Sequence, residues 1–125
     1  MTGEPERRFS VQEANAELED LRERLPRLRE ARRALLRATE RITEAVAADG
    51  GGVAGGDWFD AQRTLRADVT DLADRGILLR DPENGLVDFP AEVEGRRVFL
   101  CWRLDEPEVG FFHEETTGFS GRRPL

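Results

Sequence analysis

The chain has 125 residues, 36% charged and 38% hydrophobic, with a net charge of -7 and a pI near 4.8. That length suits one domain with a single core, and the acidic balance excludes nucleic acid and anionic membrane surfaces as partners, since both need a basic face. The lone Cys101 cannot form an internal disulfide, no apolar run approaches the ~20 residues of a membrane helix, and the start lacks an apolar signal core, so a cytoplasmic protein is expected.

Residues 1–9 read as a disordered tail. Ser10-Val-Gln-Glu13 then forms a capping box, with the Ser hydroxyl on the N3 amide and the Glu reaching back. The stripe Val11, Ala14, Leu18, Leu21, Leu25, Leu28, Leu35, Ile42 and Val46 alternates spacings of three and four, one face of a helix over 10–49. Pro26 removes a helix hydrogen bond and predicts a kink near Leu25. The stripe keeps its phase across Pro26, so one kinked helix is expected. The Gly-rich loop 50–56 ends it. This loop lacks the Gly-Lys-Ser/Thr and the preceding strand of a phosphate loop. A second helix, 58–75, is capped by Asp57 and buries Trp58, Ala61, Leu65, Val69 and Leu72. A loop connection makes the two helices antiparallel.

After Gly76 the period changes from helical to alternating. Ile77–Leu79 fits a short strand and Asp81-Pro-Glu-Asn-Gly85 a turn. Strands follow at Leu86–Ala91, Arg97–Leu104 and Glu108–Glu114, joined by short connections into an antiparallel meander spanning 77–114. Residues 115–125 read as an irregular tail. The fold class is therefore α+β: a long kinked helix and an antiparallel second helix packed on a small C-terminal sheet, a single domain over 10–125.

A two-residue turn at Glu94-Gly95 puts Val93 opposite Arg96, Phe89 opposite Leu100 and Val87 opposite Trp102. A four-residue loop at Asp105–Glu108 puts Trp102 opposite Phe111 and Leu100 opposite His113. One face then collects Val87, Phe89, Val98, Leu100, Trp102, Leu104, Val109, Phe111 and His113 for the helices. The other holds Asp88, Phe99, Cys101, Arg103, Glu108, Phe112 and Glu114. A slip of one residue would exchange the two sets.

Several of these segments occur together in a recognisable order: Phe9-Ser-Val-Gln-Glu-Ala-Asn15, Gly85-Leu-Val-Asp-Phe-Pro90, Leu100-Cys-Trp102, Glu106-Pro-Glu108, His113-Glu114 and Gly118-Phe-Ser-Gly-Arg-Arg-Pro-Leu125. The chain resembles the bacterial family catalogued as domain of unknown function 2203 over nearly its whole length. The resemblance carries no established role and no catalytic residues, and the Gly50–Gly56 stretch is longer than the family suggests.

Candidate chemistry gathers at Asp88, Cys101, Arg103, Glu108, His113, Glu114 and Arg122. Asp88, Cys101 and His113 are zinc-ligand types, but no Cys-x-x-Cys or His-x-x-x-His spacing supports them and the expected register separates His113 from the other two. Neither a metal nor a cofactor is expected. The same separation argues against a Cys101–His113 nucleophile pair, and Asp88 opposite Cys101 disfavours a thiolate. His113 is expected to be structural, bonded to Glu13 or Asn15. Arg103 and Glu108 are placed for a surface ion pair. Arg122 and Arg123 suit acidic partners within the protein, with anion binding as the alternative. Phe99 and Phe112 on the charged face suggest a binding surface, with cover by the C-terminal tail and its Phe119 as the alternative.

Two functional readings remain. The favoured one is a non-enzymatic interaction or assembly protein, with an unidentified protein partner or a homodimer formed through Leu35, Ile42 and Val46 of the first helix. The other is a ligand- or metal-binding protein, open to enzymatic activity, with its site near His113.

Overall fold

The structure, a computed structural model, describes residues 7–49 and 56–125. Three helices, α1 (Val11–Ala16), α2 (Leu18–Asp49) and α3 (Gly56–Asp74), precede a sheet of β1 (Leu78–Asp81), β2 (Leu86–Val93), β3 (Arg96–Arg103), β4 (Phe111–Glu114) and β5 (Arg123–Pro124). The strands lie side by side in chain order, all pairs antiparallel. This is the α+β meander that the change of period predicts, with one strand more than expected. The Gly50–Gly55 part of the predicted loop lies outside the described residues.

The capping box forms as read: the Glu13 amide donates to Ser10 Oγ at 3.0 Å and the Ser10 amide to Glu13 Oε1 at 2.8 Å. The helix breaks at Glu17, whose amide turns back to the Ala14 carbonyl at 3.0 Å. The sequence places the interruption at Pro26 instead. Helix α2 runs through Pro26 and keeps Leu25 and Leu28 buried on either side of it.

Helix α3 returns antiparallel to α2, because its C-terminal end meets the start of α2 in a chain of ion pairs. Arg75 binds Glu17, and also Asp20 at 2.9 Å. Asp68 is the buried member of this network, bonded to Arg24 at 2.9 Å and Arg27 at 2.8 Å. Asp68 occupies the helix face assigned to Val69, which is turned outward and 40% exposed. Ala61 and Leu72 are buried and Leu65 partly so, as their spacing requires.

The core lies between helices and sheet: Ala14, Leu18, Leu21, Leu25 and Leu28 from the first two helices, Leu72 and Ile77, then Val87, Phe89, Val98, Leu100 and Trp102 from β2 and β3. Phe9, expected in the tail, is a core residue. Its ring meets Phe89 at 5.1 Å and its amide donates to the Pro90 carbonyl at 2.7 Å.

The β2–β3 register matches the expectation at every position named, including Val93 opposite Arg96 and Phe89 opposite Leu100. Glu94 and Gly95 both adopt positive φ, 51° and 78°, the conformation a tight two-residue turn needs to follow the strand twist. The β3–β4 register is shifted by one residue: Cys101 pairs with Phe111, Leu100 with Phe112 and Phe99 with His113. The expected four-residue loop is a seven-residue excursion, 104–110, held from outside the hairpin. Its Val109 amide donates to Asn15 Oδ1 at 2.8 Å, and the Glu106 carbonyl accepts from the Trp102 indole at 3.1 Å. Val109 still reaches the core, but from the loop. The shift sends Phe112 toward the helices and turns Phe111 and His113 to the outer face.

Candidate functional site

Register decides which side chains share the outer face of the sheet. Asp88 pairs with Cys101 and Cys101 with Phe111, while Pro90 pairs with Phe99 and Phe99 with His113. Asp88, Cys101 and His113 therefore project together, and all three are buried, at 2%, 0% and 3% exposure. Their ligand atoms, a carboxylate oxygen, Sγ and a ring nitrogen, all lie within 4.8 Å of one another.

The expected bond from His113 to Glu13 or Asn15 is absent; both of those side chains are engaged elsewhere, Glu13 in the cap and Asn15 on Val109. His113 Nδ1 instead sits 2.7 Å from the Glu114 carbonyl, and Nε2 sits 2.9 Å from Asp88 Oδ2. A carbonyl only accepts, so Nδ1 carries a hydrogen. The Nε2–Oδ2 contact then needs a proton of its own, on the ring or on the carboxyl, or a cation in its place. Arg80 Nε donates to the same Oδ2 at 2.8 Å, whereas Asp88 Oδ1 is buried with no hydrogen-bond partner among the described residues.

Burial, and then the charge of Asp88, push the Cys101 thiol up to about 11, against the opposing pull of Arg122. A thiol so raised is a poor nucleophile. Both ring nitrogens of His113 are also committed elsewhere, so a Cys–His nucleophilic pair does not form. Arg122 places Nη1 3.9 Å from Cys101 Sγ and grips Glu106 with two bonds, at 3.1 and 2.6 Å. Its guanidinium is stacked between Phe111 and Phe119, 4.0 and 4.3 Å from the ring centroids. The C-terminal segment thus roofs the outer face. Phe99, read as either an exposed binding residue or a covered one, is 4% exposed, with His113 at 5.5 Å and Arg80 at 5.1 Å from its ring.

Two cavities open here. One, about 320 Å³, is lined by Arg80, Leu86, Asp88, His113, Glu115, Gly118 and Phe119. The other, about 840 Å³, lies where Arg29 of α2 meets Asn84, Arg103 and Leu104. Leu86 and Phe119 are walls of both. In the larger cavity Asp81 caps its own turn, Glu83 is held by Arg33 and Asp105 by Arg103 at 2.6 Å. Arg29 makes no hydrogen bond or ion pair among the described residues, and its Nε is buried without an acceptor.

Of the residues singled out from sequence, Asp88, Cys101 and His113 converge, with Arg122 beside them. Glu114 contributes its carbonyl; its carboxylate binds Arg96 and Arg123, each at 3.0 Å. Arg103 lines the larger cavity but pairs with Asp105, not with the expected Glu108, which is exposed in the loop and lines neither cavity. Sequence reasoning missed Arg29, Arg80 and Glu106 as members of the site. Arg80 owes its aim to a bulge between Leu79 and Asp81, just before a turn that was legible.

Comparison with curated proteins and with solved structures returned no match for this chain. No helix among the described residues is long and apolar enough to cross a membrane. The family described as an uncharacterized conserved protein (DUF2203) matches residues 7–125, and the chain belongs to that family.

Proposed function

We propose that this is a ligand-binding protein that takes a small organic anion, a carboxylate or a phosphate, into the adjoining cavities on the outer sheet face. The reading is the second of the two left open by sequence. One observation carries it: a pocket ends on the buried Asp88–His113 pair, where a purely packed sheet face would be filled. The arginines of the walls supply the ligand class, because the wall carboxylates Glu83, Asp105 and Glu115 are already paired with Arg33, Arg103 and Arg97 and Asp81 caps its own turn. Among the described residues Arg29 Nε has no acceptor, and Arg80 bonds through Nε alone, which leaves its two Nη groups to a ligand. The free thiol of Cys101 suits a reducing cytoplasm.

Calorimetric titration at low ionic strength with inorganic phosphate and with succinate tests the proposal. Binding of at least one is expected, weakened by Arg29→Gln and by Arg80→Gln, each of which removes one cation from the walls. Absence of heat, and of any rise in melting temperature, with both anions would overturn it.

The assembly reading keeps one supporting observation. Leu36 and Phe59 on the helical pair are 49% and 59% exposed. Of the residues first assigned to a dimer face, Leu35 is half-buried, and the side chains of Ile42 and Val46 lie outside the described residues. A dimeric mass by light scattering that Leu36→Glu converts to a monomeric one would support it.

A further inference from the structure

We infer that Asp88, Cys101 and His113 form a transition-metal site of the zinc class, through Asp88 Oδ1, Cys101 Sγ and His113 Nε2. The inference deepens the ligand-binding reading by adding a metal to the floor of the same pocket.

Three observations support it independently. The first is donor chemistry and proximity. A carboxylate, a thiol and an imidazole are zinc's ordinary ligand types, and their ligand atoms lie within 4.8 Å of one another. Around a tetrahedral zinc such atoms stand about 3.5 Å apart, so the group closes by roughly an ångström. All three lie on adjacent strands of one sheet, on the same face, so the backbone already holds them together.

The second is the orphaned oxygen. Asp88 is 2% exposed, its Oδ2 takes both Arg80 and His113, and Oδ1 has no hydrogen-bond partner among the described residues. A buried carboxylate oxygen left unpaired is costly, and a metal bond satisfies it. The third is the histidine. Nδ1–H is committed to a backbone carbonyl, which leaves Nε2 as the ring nitrogen for a metal once it gives up the proton it shares with Asp88 Oδ2. A ligating histidine is ordinarily oriented in this way, by a carbonyl or carboxylate on its other nitrogen.

Metal entry is balanced by proton loss. The thiol proton leaves to solvent as the S–metal bond forms, and the proton shared by Nε2 and Oδ2 leaves as Nε2 becomes a ligand. Arg122, 3.9 Å from Sγ, favours the thiolate. Three protein ligands would leave a fourth position open, and Asp88 and His113 both line the adjoining pocket. A divalent ion with one thiolate, one carboxylate and Arg80 alongside leaves a net charge of about +1 there, so an anion suits the open position.

Dialysis of the purified protein against cobalt(II), followed by absorption spectroscopy and metal analysis, tests this on the unaltered chain. One equivalent of metal is expected, with a sulfur-to-cobalt charge-transfer band in the near ultraviolet. Cys101→Ser should abolish the band, and His113→Ala should lower affinity by at least about tenfold, the low end for losing a well-placed group around a metal. Zinc should displace cobalt and bleach the band. If the folded protein retains no metal, or retains cobalt without a band, the metal assignment fails. Phosphate or succinate titration of the chelator-treated protein then distinguishes the two ideas. Anion binding that persists without metal leaves the ligand-binding reading standing alone, and loss of both removes it as well.

Discussion

Cys101 makes the smallest-scale prediction, and the composition sharpens it. The chain contains no Lys and no Tyr, and Arg stays charged throughout the accessible range, so Cys101 is the one side chain that titrates between pH 9 and 11. Its thiol is raised from an ordinary value of 9.0 to about 11. Below pH 9 the folded and unfolded thiols both hold their proton. Between 9.0 and about 11 only the folded one does. The folded state then binds more protons, and stability falls as pH rises. In chelator-treated protein, denaturant unfolding should show a loss of about 2 kcal/mol across that window. Cys101→Ala should be flat over the same range, whatever it costs at pH 8. An equal slope in the variant would mean that burial and Asp88 do not govern the thiol. The pairing of this residue with Asp88 was legible in sequence, from the two-residue turn at Glu94-Gly95. Its companionship with His113 was not, because one slip of register lies between the two arrangements.

Where the chain's elements were misread, the cause was a contact from far away in sequence. The β2–β3 hairpin was legible because Glu94-Gly95 fixes its own register, with both residues at positive φ. The β3–β4 connection is set by Asn15, from α1, gripping the Val109 amide, and no local signal at Asp105–Glu108 reports that. Likewise the helix face of α3 reads as apolar at Val69, yet Asp68 is the inward residue because Arg24 and Arg27 of α2 neutralise it. Removing the buried carboxylate takes away both Arg27 bonds and one of Arg24's, although Arg24 keeps Asp20 at 2.9 Å and Asp71 at 3.0 Å. Asp68→Ala should therefore destabilise the fold by about 1–3 kcal/mol, measured by chemical denaturation. Asp60→Ala is the control: its pair with Arg63 is 3.5 Å long between side chains 76% and 78% exposed, and its loss should cost little. Similar costs for the two would show that the Asp68 network adds nothing beyond a surface pair.

At the scale of the whole molecule, the two faces of the sheet are closed by different parts of the chain. The inner face is covered by the helices, with Phe9 wedged beside Phe89 at 5.1 Å. The outer face is covered by the last seven residues: the turn Phe119–Gly121, Arg122 clamped on Glu106, and β5, with the Leu125 amide on the Gly110 carbonyl at 2.9 Å. This segment reads as an irregular tail because its hydrophobic content is one Phe, one Pro and one Leu, and its order comes from Arg122 stacking and ion pairing. The inner layer holds most of the apolar core and none of the buried donor cluster, so the outer cover should open without global unfolding. Removing residues 119–125, or Arg122→Ala as the milder version, should leave the helical circular dichroism and a cooperative melt in place. Labelling of Cys101 by a disulfide reagent should accelerate by at least about tenfold, the equivalent of about 1.4 kcal/mol of easier local opening. If Cys101 stays as slow to label in the truncated protein as in the full chain, its protection comes from the sheet itself.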